Sequence, residues 1–254
     1  MSSGFDNVAE LFDSSLPPLP EEYCRLIQKR FNLGKDNKVI DLGCGTGLLT
    51  FVLSRFSNYV EGIDASKKMI EIARSRDKEK IINWGNVAVE NFDFGYNNYS
   101  LIISYESFHL FPNINELLKK CAQGLKPNGF LCVGWCNYQW EEPLKNIIID
   151  VFKSFGLEWE EWGYQRCHEF FSAVKLNEEY LSPVAEETIR VQNKSHIKDI
   201  ASYLASIDKS AKFESSERVD LIRELETNFR CFLSSDWISG MSSYSIGYSR
   251  KFNF

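Results

Sequence analysis

The stretch Val39-Ile-Asp-Leu-Gly-Cys-Gly-Thr-Gly-Leu-Leu-Thr50 decides the fold of this chain. A short apolar run enters it, Gly43, Gly45 and Gly47 occupy alternate positions, and an apolar helical pattern follows. This order predicts a buried strand, a tight turn and a helix N-terminus. Glycine is needed where the backbone adopts positive φ or where a ligand approaches the main chain closely. We therefore expect the amides of this turn to face a ligand.

Strand and helix patterns alternate on both sides of the glycine turn. Strands separated by helices of ~10–15 residues are typical of a doubly wound parallel sheet. The sequence thus predicts an α/β fold with seven strands and helices on both faces. The predicted strands cover residues 38–42, 58–63, 81–83, 101–104, 130–136, 184–191 and 243–250, and the predicted helices include 48–56, 143–155, 165–176, 195–207 and 217–233.

The chain shows no internal repeat, low-complexity tract or linker, which favours a single domain over residues 1–254. Within it we expect a ligand-binding core (36–136), an N-terminal helical segment (1–35), a lid (137–182) and a final segment that completes the sheet (183–254). The lid segment is distinct in composition, because it contains ten aromatic residues and nine acidic residues against four basic ones.

Composition excludes several classes of protein. The net charge of −6 disfavours nucleic acid and anionic membranes as partners. The seven cysteines lack paired metal-ligand spacing, so we expect no metal site and reduced thiols. No apolar run approaches the ~18 residues of a membrane span. The first residues lack the basic flank and apolar core of a signal peptide, which favours a cytoplasmic protein.

Two acidic residues and one leucine identify the ligand class. A dinucleotide site needs the spacing G-x-G-x-x-G, whereas here Gly47 comes one residue early and Leu48 holds the position of the third glycine. Asp41, just before the turn, repels a pyrophosphate but accepts from an ammonium group. Asp64, at the end of the second strand, suits the vicinal hydroxyls of a ribose. A ligand with a ribose, an ammonium group and no phosphate fits S-adenosylmethionine.

Three ordered motifs resemble the class I S-adenosylmethionine-dependent methyltransferases. They are Val39 to Thr50, Val60-Glu-Gly-Ile-Asp-Ala-Ser66 with the helix after it, and Tyr105-Glu-Ser-Phe-His-Leu-Phe111. The chain is most similar to the small-molecule branch that includes trans-aconitate and ubiquinone/menaquinone methyltransferases. The resemblance covers residues 5–136 well and 183–254 more loosely. It implies that the last strand is antiparallel.

The resemblance also implies the cofactor contacts. Asp41 orients the methionine portion, Asp64 holds the ribose, and Val89 packs on the adenine with Glu90 beside its amino group. Val87-Ala88 departs from the Gly-Asp pattern of the family, so the Glu90 contact is open. The expected cofactor-binding residues are Asp41, Gly43, Cys44, Gly45, Gly47, Asp64, Ala65, Met69, Val89, Glu90 and Ser104.

Methyl transfer from a sulfonium is an in-line displacement with a neutral leaving group, so the enzyme mainly aligns the reactants and excludes water. A general base is needed only when the nucleophile keeps its proton near pH 7. His109, just beyond the fourth strand, is the candidate base, and a structural or positioning role is the alternative. Tyr105 is a candidate for lining the path of the methyl group. His168 and His196 are expected to be structural.

Substrate contacts are expected mainly from aromatic side chains: Phe12, Trp135, Trp140, Trp162 and Tyr164. The acids of the lid favour a cationic or amine substrate. Arginines such as Arg166, Arg190 or Arg250 would instead suit a carboxylate. We therefore predict methylation of an N or O atom of a small molecule, by a monomer or homodimer. Open alternatives are a tRNA-nucleoside methyltransferase and a non-catalytic cofactor-binding subunit, while an NAD-dependent oxidoreductase is disfavoured by Leu48.

Overall fold

The computed structural model describes residues 4–140, 142–158, 170–207, 210 and 212–252. Its strands form one seven-stranded sheet in the order β3-β2-β1-β4-β5-β7-β6. The strands are β1 (Lys38–Leu42), β2 (Tyr59–Asp64), β3 (Ile82–Asn86), β4 (Tyr99–Tyr105), β5 (Leu125–Gln139), β6 (Ala185–His196) and β7 (Trp237–Arg250).

Helices connect the strands throughout the described residues. None of them combines the length and apolar character that crossing a bilayer requires. They are α1 (Ala9–Ser15), α2 (Glu21–Arg30), α3 (Leu48–Ser54), α4 (Lys67–Arg76), α5 (Ile114–Gly124), α6 (Leu144–Ser154), α7 (Ile197–Leu204) and α8 (Ser215–Phe232), with a further helical stretch at 170–175. Short 3₁₀ helices lie at Gly4–Asn7, Val89–Asn91 and Phe108–Leu110.

The sheet is mostly parallel, as predicted. β1 pairs in parallel with β2 and with β4, and β2–β3 and β4–β5 are also parallel. β7 runs the other way: the amide of Lys251 donates to the carbonyl of Gly129 at 2.9 Å, whereas Gly240 approaches the carbonyl of Gln139. As the residue number rises along β5, it falls along β7. The prediction of an antiparallel last strand is confirmed.

The chain forms two compact units. The large unit comprises Leu19–Asn137, Trp162–Ile189 and Tyr244–Phe254, and the small unit comprises Met1–Pro18, Tyr138–Glu161 and Arg190–Ser243. These boundaries do not follow the predicted ones at residues 35, 136 and 182. The single-domain organisation and the lid stay predictions.

The core of the large unit is built on the central strands. Ile40 of β1 and Ile102 of β4 are fully buried, as expected for strands of a parallel sheet that is covered on both faces. Leu118 and Cys121, one turn apart on α5, pack into the same cluster. Phe94 joins it from the loop before β4. This packing holds the carboxyl ends of the strands in place.

The small unit is built on helix packing. α8 packs against α6 and α7, and α1 packs against α7. Leu221, Leu225 and Phe229 recur at spacings of four along α8 and are fully buried, which places one face of that helix in the core. A capping box between Glu214 and Glu217 fixes the beginning of the helix.

Most strands extend beyond the segments that the sequence predicts, and β5, β6 and β7 extend furthest. β5 continues to Gln139, past residue 137 where we expected the lid to begin, and β6 and β7 are each longer by several residues. β6 also replaces the first residues of the helix predicted from 195, because His196 caps α7 and accepts from the amide of Lys198. These extensions carry polar or glycine-rich sequence, and pairing with a neighbouring strand determines their length.

Gly134 of β5 allows a test of this packing. A Cβ there would lie 2.3 Å from Oη of the buried Tyr23 and 2.9 Å from Tyr105 Cδ2. Gly134→Ala should therefore lower the free energy of unfolding by about 1–3 kcal/mol. Tyr23→Phe removes the nearest atom, so the double variant should be less destabilised than the sum of the single variants.

Chemical denaturation of the three variants measures this coupling. Gly34→Ala is the matched control, because the nearest atom to its Cβ is 3.8 Å away. Additive effects of the two substitutions would show that the Tyr23 hydroxyl does not limit the space at Gly134.

Candidate functional site

The glycine turn follows β1 in the large unit. At two positions of this turn, neighbouring side chains leave no room for a Cβ atom, so glycine is required. Gly43 has φ of 65°, and a Cβ there would lie 2.5 Å from Ser107 Oγ. Gly47 has φ of 93°, and a Cβ there would lie 2.6 Å from the ring of Trp84. The turn is thus held tightly between the ends of β3 and β4. The sequence predicted these glycines, but not the side chains that press against them.

Asp41 is almost fully buried behind the turn. Thr50 Oγ1 donates to Asp41 Oδ2 at 2.7 Å, while Asp41 Oδ1 has no hydrogen-bond partner among the described residues. Burial raises the pKa of Asp41 from 3.8 to about 7, and the negative charge of Asp64 adds to the increase. The site therefore contains a buried acceptor that lacks a donor. A cationic or hydrogen-bonding ligand group is the kind of partner that it lacks.

Asp64 ends β2 and is half-buried. Its Oδ2 accepts from the amide of Gly45 at 2.9 Å, and its Oδ1 accepts from the amide of Ser66 at 2.8 Å. Asn86, which the sequence analysis missed, donates from Nδ2 to the carbonyls of Asp64 and Ala65, both at 3.1 Å. A carboxylate oxygen can accept more than one hydrogen bond. The carboxylate is therefore fixed in orientation and partly open to solvent, as ribose binding requires.

The residues predicted around the adenine differ in exposure. Ala65 is exposed, whereas Met69 and Val89 are buried. Glu90 is exposed, and its carbonyl accepts from Lys120 Nζ at 2.6 Å. In the conformation described, the exposed residues of this set are therefore Ala65 and Glu90. The adenine contacts stay predictions.

Cys44 lies within the turn and is buried. Burial, and then the charges of Asp41 and Asp64, raises the pKa of its thiol well above the usual range. The thiol is therefore neutral and unreactive. No cluster of three potential metal ligands occurs in the described part of the chain.

The end of β4 is tied to β1 through two serines. Ser107 Oγ donates to the carbonyl of Leu42 at 2.9 Å and lies 2.8 Å from Ser104 Oγ. Ser104 was predicted at the cofactor site, whereas Ser107 was not. Its only sequence signal is its place just after a parallel strand, where ligands bind. The two hydroxyls therefore fix the position of the end of β4 next to Gly43.

Three side chains that could take part in binding or catalysis lie at the end of β4 or just after it. Tyr105 is half-buried, and its ring lies 5.7 Å from that of Tyr23. Glu106 has a left-handed backbone, with φ of 56°, and its Oε1 accepts from the amide of Cys136 on β5. His109 is half-buried in the 3₁₀ helix just beyond. The structure brings Tyr105 and His109 to the predicted end of the sheet and adds Glu106, which was not predicted. The roles of Tyr105 and His109 stay predictions.

The predicted substrate-contacting aromatics lie in different places. Trp135 is buried in the core of the large unit against Phe171, so it offers no open wall in this conformation. Phe12 is half-buried in the small unit near Phe5, with ring centroids 6.4 Å apart. Trp140 is half-buried in the small unit. Trp162 and Tyr164, together with Trp159, Arg166 and His168, lie outside the described residues.

Trp140 lines a cavity of about 290 Å³ in the small unit. Its ring stacks on that of Tyr138 at 5.7 Å, and Tyr203 lies 5.8 Å from Tyr138. His196 and Trp237 also line the cavity, with ring centroids 5.4 Å apart. The cavity thus combines aromatic and polar groups, as small-molecule sites do. His196, predicted to be structural, does cap a helix but also faces this cavity.

The sequence of this chain is similar to that of known methyltransferases. Residues 40–133 match the family described as "Methyltransferase domain". The chain is 30% identical over 141 residues to a ubiquinone biosynthesis O-methyltransferase of Bradyrhizobium diazoefficiens, an alignment that covers 55% of this chain and 54% of that protein. The chain thus spans about half the length of the curated relatives it matches. The residues that match the family, 40–133, include Asp41, Asp64 and the glycine turn.

Solved structures share the fold over nearly the whole chain. A putative type II methyltransferase from Anaeromyxobacter dehalogenans superposes with a TM-score of 0.63 at 14% identity, covering 94% of this chain and 97% of that one. Phosphoethanolamine N-methyltransferase 2 of Haemonchus contortus, in complex with phosphomonomethylethanolamine and S-adenosylhomocysteine, superposes with a TM-score of 0.58 at 16% identity. That match covers 98% of this chain and 58% of that protein. At these identities the likeness concerns the fold alone.

The buried Asp41 gives the ligand-free protein a distinctive pH dependence of stability. Between pH 3.8 and about 7 the carboxyl is protonated in the folded state but ionised in the unfolded chain. The folded state then binds more protons, so stability falls as the pH rises through this window. In Asp41→Asn this contribution disappears. The stability of the variant relative to wild type should rise across the window, by up to about 4 kcal/mol.

Denaturant unfolding of both proteins at several pH values between 4 and 7.5 measures the difference. Asp36→Asn, at an exposed position, is the control and should show no such trend. A difference for Asp41→Asn that does not change with pH would mean that Asp41 is ionised in the folded protein.

Proposed function

We propose that this chain, whose residues 40–133 form a class I S-adenosylmethionine-dependent methyltransferase domain, transfers a methyl group to an N or O atom of a small molecule. The observation that carries the proposal is the pairing of the glycine turn with Asp64. The Gly45 amide donates to the Asp64 carboxylate, so the loop and the ribose-binding group are joined. A carboxylate at this place disfavours phosphate and suits hydroxyl donors.

The residues present fit the cofactor. Asp41 Oδ1 is buried and has no hydrogen-bond partner among the described residues, and the ammonium group of the methionine portion would satisfy it directly or through water. The exposed part of Asp64 would accept from the ribose hydroxyls, with Ala65, Met69 and Val89 near the adenine. When bound, S-adenosylmethionine supplies an electrophilic methyl group.

The remaining work of the protein is alignment and exclusion of water. Ser104 and Ser107 fix the end of β4, which carries Tyr105 and His109. Tyr105 would form part of the wall along which the nucleophile approaches. His109 would hold the proton of a phenol or an ammonium acceptor as it leaves. A carboxylate acceptor would need no base, so the role of His109 depends on the acceptor.

The nature of the acceptor is supported by what the relatives are named for. One is an O-methyltransferase of ubiquinone biosynthesis, and a fold neighbour is an N-methyltransferase of phosphoethanolamine. The name of the O-methyltransferase relative supports a small-molecule acceptor for this chain, whereas the N-methyltransferase, at 16% identity, supports the fold alone. Whether O or N receives the methyl group, the oligomeric state and the cytoplasmic location stay predictions.

Two alternatives remain open. Methylation of a tRNA nucleoside is disfavoured by the net charge of −6, and a salt-dependent mobility shift with tRNA would favour it. A non-catalytic cofactor-binding subunit would bind S-adenosylmethionine without turnover. A methyl-transfer screen against amines, phenols, carboxylates and tRNA, with release of S-adenosylhomocysteine as the readout, separates the three functions.

Asp64→Ala should weaken S-adenosylmethionine binding by at least about tenfold, because a ribose loses its paired acceptors. Isothermal titration calorimetry measures the affinity. The variant also removes the acceptor for the Gly45 and Ser66 amides, so thermal melting must be recorded beside it. Asp36→Ala, an exposed carboxylate elsewhere, is the matched control. An unchanged affinity in a folded Asp64→Ala protein removes this residue from the site.

His109→Ala should slow turnover while it leaves the affinity for S-adenosylmethionine nearly unchanged. A reduction of about 10²-fold or more in kcat is expected if His109 is the general base. Steady-state kinetics with an acceptor found in the screen, together with calorimetry, separates the two effects. Wild-type turnover at saturating acceptor would assign His109 a structural role.

A further inference from the structure

Glu106 has an unusual backbone for its residue type. Within the part of the chain that the structure describes, six non-glycine residues have positive φ, and four of them are asparagine, which tolerates this conformation: Asn32, Asn97, Asn113 and Asn128. Lys80 is an exception in an exposed turn. Glu106, with φ of 56°, is the other exception, and it is half-buried at the end of β4. Strained residues of this kind cluster at ligand and active sites.

The carboxylate of Glu106 is held in one place. The amide of Glu106 donates to the carbonyl of Gly134 at 3.0 Å, and its Oε1 accepts from the amide of Cys136. Both partners belong to β5, the strand next to β4 in the sheet. The left-handed backbone turns the residue toward β5, and the two hydrogen bonds fix it there. The carboxylate thus lies at the adjoining carboxyl ends of two parallel strands, where α/β proteins bind their ligands.

The surroundings place this carboxylate on the acceptor side of the site. Its neighbour Ser107 touches Gly43 of the glycine turn, so the β4 end borders the expected position of the cofactor. Asp64 and Gly45, which would hold the cofactor, lie after β2 and β1 on the other side of β4. The half-buried Tyr105 ring lies 5.7 Å from the ring of the fully buried Tyr23. Burial raises the pKa of Tyr23, and Cys132 and then the charge of Glu106 add to the increase.

We propose that Glu106 selects the methyl acceptor by accepting a hydrogen bond from an N–H or O–H group of the substrate. The proposal rests on the proposed function and specifies the substrate class. An ionised carboxylate has about four acceptor sites and no donor, and the Cys136 amide uses one of them. Amines, phenols and alcohols supply the complementary donor. A carboxylate substrate would instead meet like charge in a half-buried place and is excluded.

A purely structural role makes the opposite demand on this position. For the turn alone, asparagine or glycine would adopt the left-handed backbone with less strain, and a neutral glutamine would suffice as the acceptor for the Cys136 amide. Glutamate keeps the strain and adds a fixed charge. We therefore expect a substitution that removes only the charge of Glu106 to weaken substrate binding without lowering the stability of the protein.

Two substitutions test this separation. Glu106→Gln keeps an oxygen for the Cys136 amide and removes the charge, and Glu106→Asn relieves the backbone and withdraws the polar group. Lys80→Asn is the matched control, because it makes the same backbone change in an exposed turn. Calorimetry first measures S-adenosylmethionine binding, which both Glu106 variants should retain. Wild-type and variant proteins are then tested with benzylamine, ethanolamine, phenol, benzoate and citrate.

The wild-type protein should release S-adenosylhomocysteine with the amines or phenol and not with benzoate or citrate. Both Glu106 variants should raise KM for the accepted compound by about tenfold or more, with a smaller change in kcat. Glu106→Gln, which keeps an acceptor for the Cys136 amide, should also keep the wild-type melting temperature. Calorimetric binding of that compound to the S-adenosylhomocysteine complex should weaken in parallel. Lys80→Asn should leave all these values unchanged.

Two results would overturn the proposal: preferred methylation of benzoate or citrate, or Glu106 variants with wild-type KM and acceptor binding. A wild-type protein that binds S-adenosylmethionine but methylates none of these compounds favours a non-catalytic subunit and refutes the proposed function as well. Loss of S-adenosylmethionine binding in the wild-type protein is a different failure, because it refutes the proposed function and not the role of Glu106 alone.

Discussion

The hydrogen bond from the Gly45 amide to the Asp64 carboxylate is the constraint on which the site depends. It joins the turn after β1 to the end of β2, and the Ser66 amide donates to the second carboxylate oxygen at 2.8 Å. A glycine turn has many accessible conformations, so an external anchor is needed to keep its amides in one arrangement. The same aspartate that would bind the ribose thus also shapes the loop. Under the proposed function, one carboxylate would therefore both recognise the cofactor and fix the loop conformation.

Local sequence predicted the central strands well because burial determines them. β1 was expected at residues 38–42 and is found at Lys38–Leu42, since a continuous apolar run on a doubly covered sheet has few alternatives. β6 and β7 were predicted too short. Along β6 no residue is fully buried, and its length is therefore set by hydrogen bonds to a neighbour that lies far away in sequence. The hydropathy pattern of a segment does not indicate which distant strand it pairs with, so it does not predict the length of the strand.

The candidate site divides in the same way. Asp41 and Asp64 were found because their positions at strand ends restrict what they contact. Thr50, Ser107 and Glu106 were missed because their importance lies in one hydrogen bond or one backbone angle that no spacing rule encodes. Trp135 shows the reverse difficulty: it was expected at a substrate wall, and in the conformation described it is packed in the core, so its substrate contact stays a prediction. Aromatic composition alone does not separate these two roles.

The two aspartates also explain why the site suits a cationic ligand. Asp41 is buried with one oxygen unpartnered, and its pKa is raised to about 7 by burial and by the charge of Asp64. The ligand-free site therefore holds an electrostatic cost that a positive group relieves and a phosphate increases. Such a ligand stabilises the ionised form of Asp41, so its binding near neutral pH releases a proton from the protein. Under the proposed function, selectivity for a sulfonium cofactor over a dinucleotide would follow from charge, in addition to the shape of the glycine turn.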